Sequence, residues 1–493
     1  MPTKHLLRNI VAVALAGSLT SALGALTPDP APALTPVTDA DFYRNGQFAP
    51  AQVELGRMLF FDKILSGNEN IACATCHHPT LGTSDARSLA FGEGATGLGR
   101  KRRVGADRPV LGRLPRNAPS LYFLGAAEFA SLFHDGRVEV DQHRNWPSGF
   151  WTPAREQLPA GLDNVLAAQA MFPVTSAVEM AGRKGENPVA TAAALDNLDG
   201  PEGVWALLAR RLQAIAEYVE LFRAAYSEVK VADDISFVLA ANAIAAFETQ
   251  AFRADDSPFD RYLRSGDRGH LGMAAQRGLE LFNGAAGCSA CHSDKFQTDQ
   301  SFHAIAMPQL GPGKNDGFDQ SYWQATGFAG RLEDLGRYRV TNLPDDKYRF
   351  RTPSLRNVEL TGPWGHSGAY RTLEAVVRHH LDPVTSLHRY DVASAELPQL
   401  RDIVETTATG SQLIYRPVNP RRLDDYLRRD TWVMQSAKLR AAIADANQLH
   451  PTRLGDQEVA DLVAFLGSLT DPRSRSQHDL APKRVPSGLP VAD

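Results

Sequence analysis

The chain has 493 residues, 43% hydrophobic and 22% charged, which supplies a large core and excludes a disordered or collagen-like protein. Lys plus Arg number 52 against 56 Asp plus Glu, a formal net charge of -4, so no basic excess points to nucleic acid. Four cysteines are too few to staple a chain of this length with disulfides.

At the N-terminus, Lys4 and Arg8 precede an apolar run from Ile10 to Leu23, with small residues at Ala22, Gly24 and Ala25. This pattern predicts a secretory signal peptide over 1–25, the alternative being a short membrane anchor. A Pro- and Thr-rich linker follows over 26–40. Apolar spacing broken by Gly and Pro runs over 41–61, and helices are predicted over 203–226 and from an N-cap at Asp233 or Asp234 to Phe252. Helical apolar spacing recurs over 273–282, 372–380 and 456–469. Strand alternation is scarce, so the fold is expected to be mainly α. Stretches 92–119 and 307–349 are loop-rich, and 383–453 is irregular with room for extra helices. The end, 471–493, reads as a flexible tail. Outside the leader, no segment reaches the ~20 apolar residues that span a bilayer. The longest approach, Phe237 to Phe247, is interrupted by Asn242. The mature chain is expected to be periplasmic, with no membrane span after signal removal.

One pattern occurs twice. Gly56-Arg57-Met58-Leu59-Phe60 precedes Cys73, and Gly278-Leu279-Glu280-Leu281-Phe282 precedes Cys288. The echo suggests two related domains, drawn at 41–255 and 256–470.

All four cysteines fall in two copies of C-x-x-C-H: Cys73-Ala74-Thr75-Cys76-His77 and Cys288-Ser289-Ala290-Cys291-His292. This is the attachment sequence of a c-type haem. Two thiols three positions apart each add to a haem vinyl group, and the adjacent His then lies under the ring to bind iron. A four-thiolate zinc site or a pair of redox disulfides would also use the cysteines. Neither explains a His directly after both pairs. Two haem c groups are therefore expected.

With these motifs, the chain resembles the bacterial di-haem cytochrome c peroxidases and their MauG-type relatives from about Val53 to Thr470. The other matching stretches are Leu55 to Asp62, Arg116 to Ser120, Phe133 to Arg137, Phe172 to Met180, Arg351 to Val358 and Thr361 to Gly368. The resemblance implies two cytochrome-c-like haem domains, here enlarged by long loops and insertions, with a calcium ion between them. It makes His77 the proximal ligand of a peroxide-reacting haem and Glu179 and Pro173 its distal-pocket residues. Glu179 would move a proton from the inner to the outer peroxide oxygen, as base and then acid. It makes His292 the proximal ligand of an electron-transferring haem. The family's second ligand there lies fourteen residues after the His at position 366, which lands on His380, with His379 adjacent. Asn117, Thr361 and Pro363 match the calcium position, where a plain structural turn is the alternative.

Two positions depart from the family. Its classical members carry a distal His sixteen residues after the first motif's His; here that position is Glu93, expected as a loop residue in solvent. The Trp that usually precedes Asp135 and relays electrons is His134, and Trp364 is not an evident substitute. The leading expectation is a peroxidase that takes hydrogen peroxide at the His77 haem. Its electrons would come from a small cytochrome c or cupredoxin through the His292 haem. The rivals are a MauG-like enzyme that oxidises residues of a partner protein, and a non-catalytic di-haem electron carrier. The resemblance also admits a homodimer.

Overall fold

A computed structural model describes residues 34–104, 113–142, 145–311, 333–395, 397, 404–407, 410–413 and 431–492. The expected leader and most of the linker lie outside the described residues. So do parts of the three irregular stretches.

The described residues are mainly helical, with only short antiparallel strands. The three-stranded piece is Ser131–Leu132, Val138–Val140 and Phe150–Trp151. Phe302–His303 pairs with Phe350–Arg351, and Val404–Thr407 with Gly410–Leu413. No described helix is long and apolar enough to cross a membrane. Within 383–453, described helices span Pro383–Arg389, Trp432–Gln435 and Ala437–Asp445.

Three helices fall close to their sequence limits: Met273–Asn283, Leu373–Leu381 and Asp456–Ser468. Thr372 caps the second, its side chain accepting from the Ala375 N–H. Two expectations shift. The stretch 203–226 is two helices, Val204–Gln213 and Ala216–Ala225, broken at the extended Ile215. The helix Phe237–Ala251 is capped by Ser236, not by Asp233 or Asp234. Asp234 instead accepts from the N–H groups of Lys230 and Val231 at 2.7 and 2.9 Å, which closes a preceding turn.

The repeated Gly-x-x-Leu-Phe has a repeated structural use. Helix Pro50–Phe61 packs on Phe237–Ala251 at Gly56, where an added Cβ would lie 1.9 Å from the Ala243 carbonyl oxygen. Helix Met273–Asn283 packs on Asp456–Ser468 at Gly278, where a Cβ would lie 2.0 Å from the Asp461 carbonyl oxygen. Only a residue without Cβ allows so close a backbone approach. Four residues on, Phe60 meets Phe247 at 5.3 Å between ring centres, and Phe282 meets Phe465 at 5.0 Å. In each half the helix that carries the Gly and Phe thus precedes the C-x-x-C-H motif, and the helix it locks onto follows it.

The segment expected as a flexible tail is packed. Val485 is buried in the core of the first half. Ser487 donates its hydroxyl to Asp62 at 2.6 Å, and the Tyr218 hydroxyl donates to the other oxygen of Asp62 at 2.6 Å. Lys63 reaches the Ala492 carbonyl at 3.2 Å, and Arg484 pairs with Glu217 at 2.8 Å. A run of polar and Pro residues carries little apolar periodicity, and these specific polar seats are what hold it.

Candidate functional site

Two cavities lie behind the two motifs. The smaller, about 130 Å³, is lined by Cys73, Cys76, His77, Pro173 and Glu179. The larger, about 320 Å³, is lined by Cys288, Cys291, His292 and His380. Protein interiors leave few voids larger than one water, so two such spaces with mostly apolar walls imply bound groups. The two cysteine pairs face different cavities, which removes the four-thiolate arrangement.

In the smaller cavity, Cys73–Cys76 is a single helical turn that ends at His77. His77 donates Nδ1–H to the Thr83 carbonyl at 3.0 Å, which aims Nε2 away from that contact. Burial holds this imidazole below its ordinary pKa, so it is neutral and can ligate. Glu179 sits in Ala177–Ala181, a single π turn of a kind often found at functional sites. That turn is braced from outside. The Glu93 N–H donates to the Val178 carbonyl at 3.0 Å, and a Cβ on Gly92 would lie 2.1 Å from the same oxygen.

Glu93 itself corrects the sequence expectation. It is 4% exposed, not a solvated loop acid, and its Oε1 accepts from Asn68 and Asn70 at 2.7 and 3.0 Å. It does not line the cavity. The imidazoles that do are His77 and His134.

The larger cavity is built differently. His292 donates Nδ1–H to the Gln297 carbonyl at 3.1 Å, and His380 donates Nδ1–H to the Val376 carbonyl of its own helix at 2.7 Å. Both Nε2 atoms remain for a ligand. The ring centres are 6.4 Å apart. Two imidazoles on opposite sides of one metal need about this distance, given nitrogen–metal bonds of ~2 Å at each side. His379 is spoken for at both nitrogens. Its Nε2–H donates to the Ile305 carbonyl at 2.9 Å, and Nδ1 accepts from the Tyr370 hydroxyl at 2.9 Å. The donor sets of both cavities therefore fit covalently attached haem.

His134 lines both cavities, whereas Trp364 lines only the larger and donates its indole N–H to the Val358 carbonyl at 3.0 Å. Burial and the nearby Arg116 push His134 down to about 4, so it is neutral. It donates Nε2–H to the Asn117 carbonyl at 3.1 Å. Asn117, Thr361 and Pro363 all line the larger cavity, and the Asn117 amide donates to the Arg87 carbonyl at 2.6 Å.

Sequence reasoning missed Gln169, Arg137 and Glu248 on the wall of the smaller cavity. Glu248 is 6% exposed, its Oε2 has no hydrogen-bond partner, and burial pushes its carboxyl up to about 8. A lone acid within the apolar run of Phe237–Ala251 was the available signal.

Comparison with known proteins agrees with this geometry. Residues 50–268 match the family described as di-haem cytochrome c peroxidase. The chain is 30% identical over 332 residues to a methylamine utilization protein MauG from Methylorubrum extorquens, covering 67% of this chain and 69% of the relative. It is 29% identical over 334 residues to the cytochrome c551 peroxidase of Pseudomonas aeruginosa, covering 68% and 72%. The fold resembles a solved MauG-like protein associated with microbial copper homeostasis, with a TM-score of 0.54 and 24% identity over 92% of this chain and 99% of that one. The protein is thus an oxidoreductase of the peroxidase type. It belongs to the di-haem cytochrome c peroxidase and MauG family, whose members carry haem c.

Proposed function

We propose that this is an exported peroxidase that reduces hydrogen peroxide to water on the His77 side, with electrons entering on the His292 side. The observation that carries the reading is the asymmetry of the two cavities. One places a carboxylate and a Pro with the motif His; the other places a second imidazole at 6.4 Å. Haem held by Cys73, Cys76 and His77 would supply peroxide-binding iron, and haem held by Cys288, Cys291, His292 and His380 would supply electron entry.

The chain's own residues do the rest. Glu179 takes the proton from the inner peroxide oxygen and returns it to the outer one as the O–O bond breaks. Two electrons and two further protons then yield two waters. Pro173 and the apolar wall exclude competing ligands. Neutral His134 packs between the cavities, in the path of transfer. Asn117, Thr361 and Pro363 would hold a calcium ion. The donor is a small cytochrome c or cupredoxin, and the setting is the periplasm.

The test is steady-state peroxide turnover with small redox-protein donors, with and without pre-reduction. Turnover with such a donor and no need for pre-reduction supports the reading, because no displaceable His stands at position 93. A second reading, oxidation of residues on a partner protein, is favoured by His134 in place of Trp. It predicts peroxide consumption with no small-protein donor accepted.

A further inference from the structure

The motif from Arg351 to Val358 contains a charge that the peroxidase reading does not use. Arg351 lines both cavities. Its backbone N–H donates to the His134 carbonyl at 2.8 Å, and the residue pairs with Phe302 across a two-stranded piece. Its guanidinium donates through Nη1 to the Gln300 side chain at 3.0 Å and through Nε to the Phe133 carbonyl at 3.4 Å.

No carboxylate among the described residues pairs with it. Arg351 is half-buried, and two fully buried arginines differ from it. Arg116 pairs with Asp334 at 2.6 Å and Asp135 at 2.8 Å, and Arg356 pairs with Asp260. Burial pushes the Arg351 guanidinium down to about 10, with no acid opposing that shift, and it stays charged at neutral pH. A half-buried, uncompensated cation on the wall of a mostly apolar cavity is costly unless an anion meets it. A haem pinned to cysteines at its vinyl edge carries two carboxylates, its propionates, elsewhere on its rim. A guanidinium with five planar donors suits carboxylates from two directions.

We propose that Arg351 is a shared anion site that binds one propionate from each haem and so ties the two cofactors to one charge. The proposal rests on the haem reading of both cavities. It assigns a cofactor-binding role to a residue whose neighbour in the larger cavity, His380, acts on the iron instead.

The experiment is redox potentiometry of haem-loaded Arg351→Gln, after a pyridine haemochrome assay has counted covalent haems. Loss of the cation leaves two propionates uncompensated and stabilises both ferric states, so both midpoint potentials should move negative relative to the unaltered protein. Two haems with both potentials unmoved, or only one moved, overturns the proposal and leaves the haem reading intact. Absence of covalent haem in the unaltered protein overturns the haem reading itself. Should the variant fail to load, a crystal structure of the unaltered haem-loaded protein decides. A propionate oxygen from each haem within hydrogen-bond range of Arg351 supports the assignment, and propionates directed elsewhere contradict it.

Discussion

The two cavities start from the same sequence device and end as unlike chemical environments. Each has a helix pair locked by Gly and Phe, a C-x-x-C-H turn, and a motif His whose Nδ1–H is held by a backbone carbonyl. What differs is the wall around each. The π turn Ala177–Ala181 brings a carboxylate to the first, while helix Leu373–Leu381 presents His380 to the second. A haem with one protein ligand can bind a small molecule, and one with two passes electrons. The difference teaches that the repeated part sets attachment, and the parts that do not repeat set the task.

The largest expected effect is on the carboxylate side. Glu179→Gln should lower peroxide turnover by about 10²–10⁴-fold, the usual worth of a positioned acid–base group. The spectrum of the His292 site should not change; full retained turnover would remove Glu179 from the chemistry. On the other side, His380→Met should raise the potential of the second haem, since Met ligation generally does so. An unmoved potential would mean that His380 is not a ligand.

The shared device can be broken in either half. Gly56→Ala and Gly278→Ala should each destabilise by about 1–3 kcal/mol through overpacking, read by denaturant unfolding. Equal tolerance of Ala would show that the close helix contact does not matter. A smaller effect is expected for His379→Ala, about 1–2 kcal/mol from the loss of two buried hydrogen bonds. Its low-spin signal should persist, which separates it from its neighbour.

Glu248 sharpens the contrast through pH. Its folded-state carboxyl is raised to about 8, above the ordinary ~4.3, so the folded chain holds a proton that the unfolded chain releases. Its contribution to stability therefore falls as pH rises from ~4.3 through about 8. Glu248→Gln should gain in Tm over the unaltered protein as pH increases across that window. A pH-independent difference would contradict the assignment of a buried neutral acid.

Much of this was legible in the sequence because attachment chemistry is local. Two thiols and a His at fixed spacing declare a haem, and a Gly-x-x-Leu-Phe seen twice suggested two related halves, whose tight helix crossings only the structure supplies. His380 over His379 was a matter of counting, and the geometry favours it because His379 has no nitrogen left. Glu93 was misread because its burial depends on Asn68 and Asn70, which meet it only after folding. The tail was misread for the same reason: Ser487 finds Asp62 across 425 positions. Arg351 was visible within a motif, but its lack of an acid partner exists only in three dimensions.

The most direct test of the asymmetry is electron paramagnetic resonance of the oxidised, haem-loaded protein. One high-spin signal beside one low-spin signal of the bis-imidazole type is the predicted result. Two low-spin signals would contradict an open His77 site and return the protein to electron carriage alone.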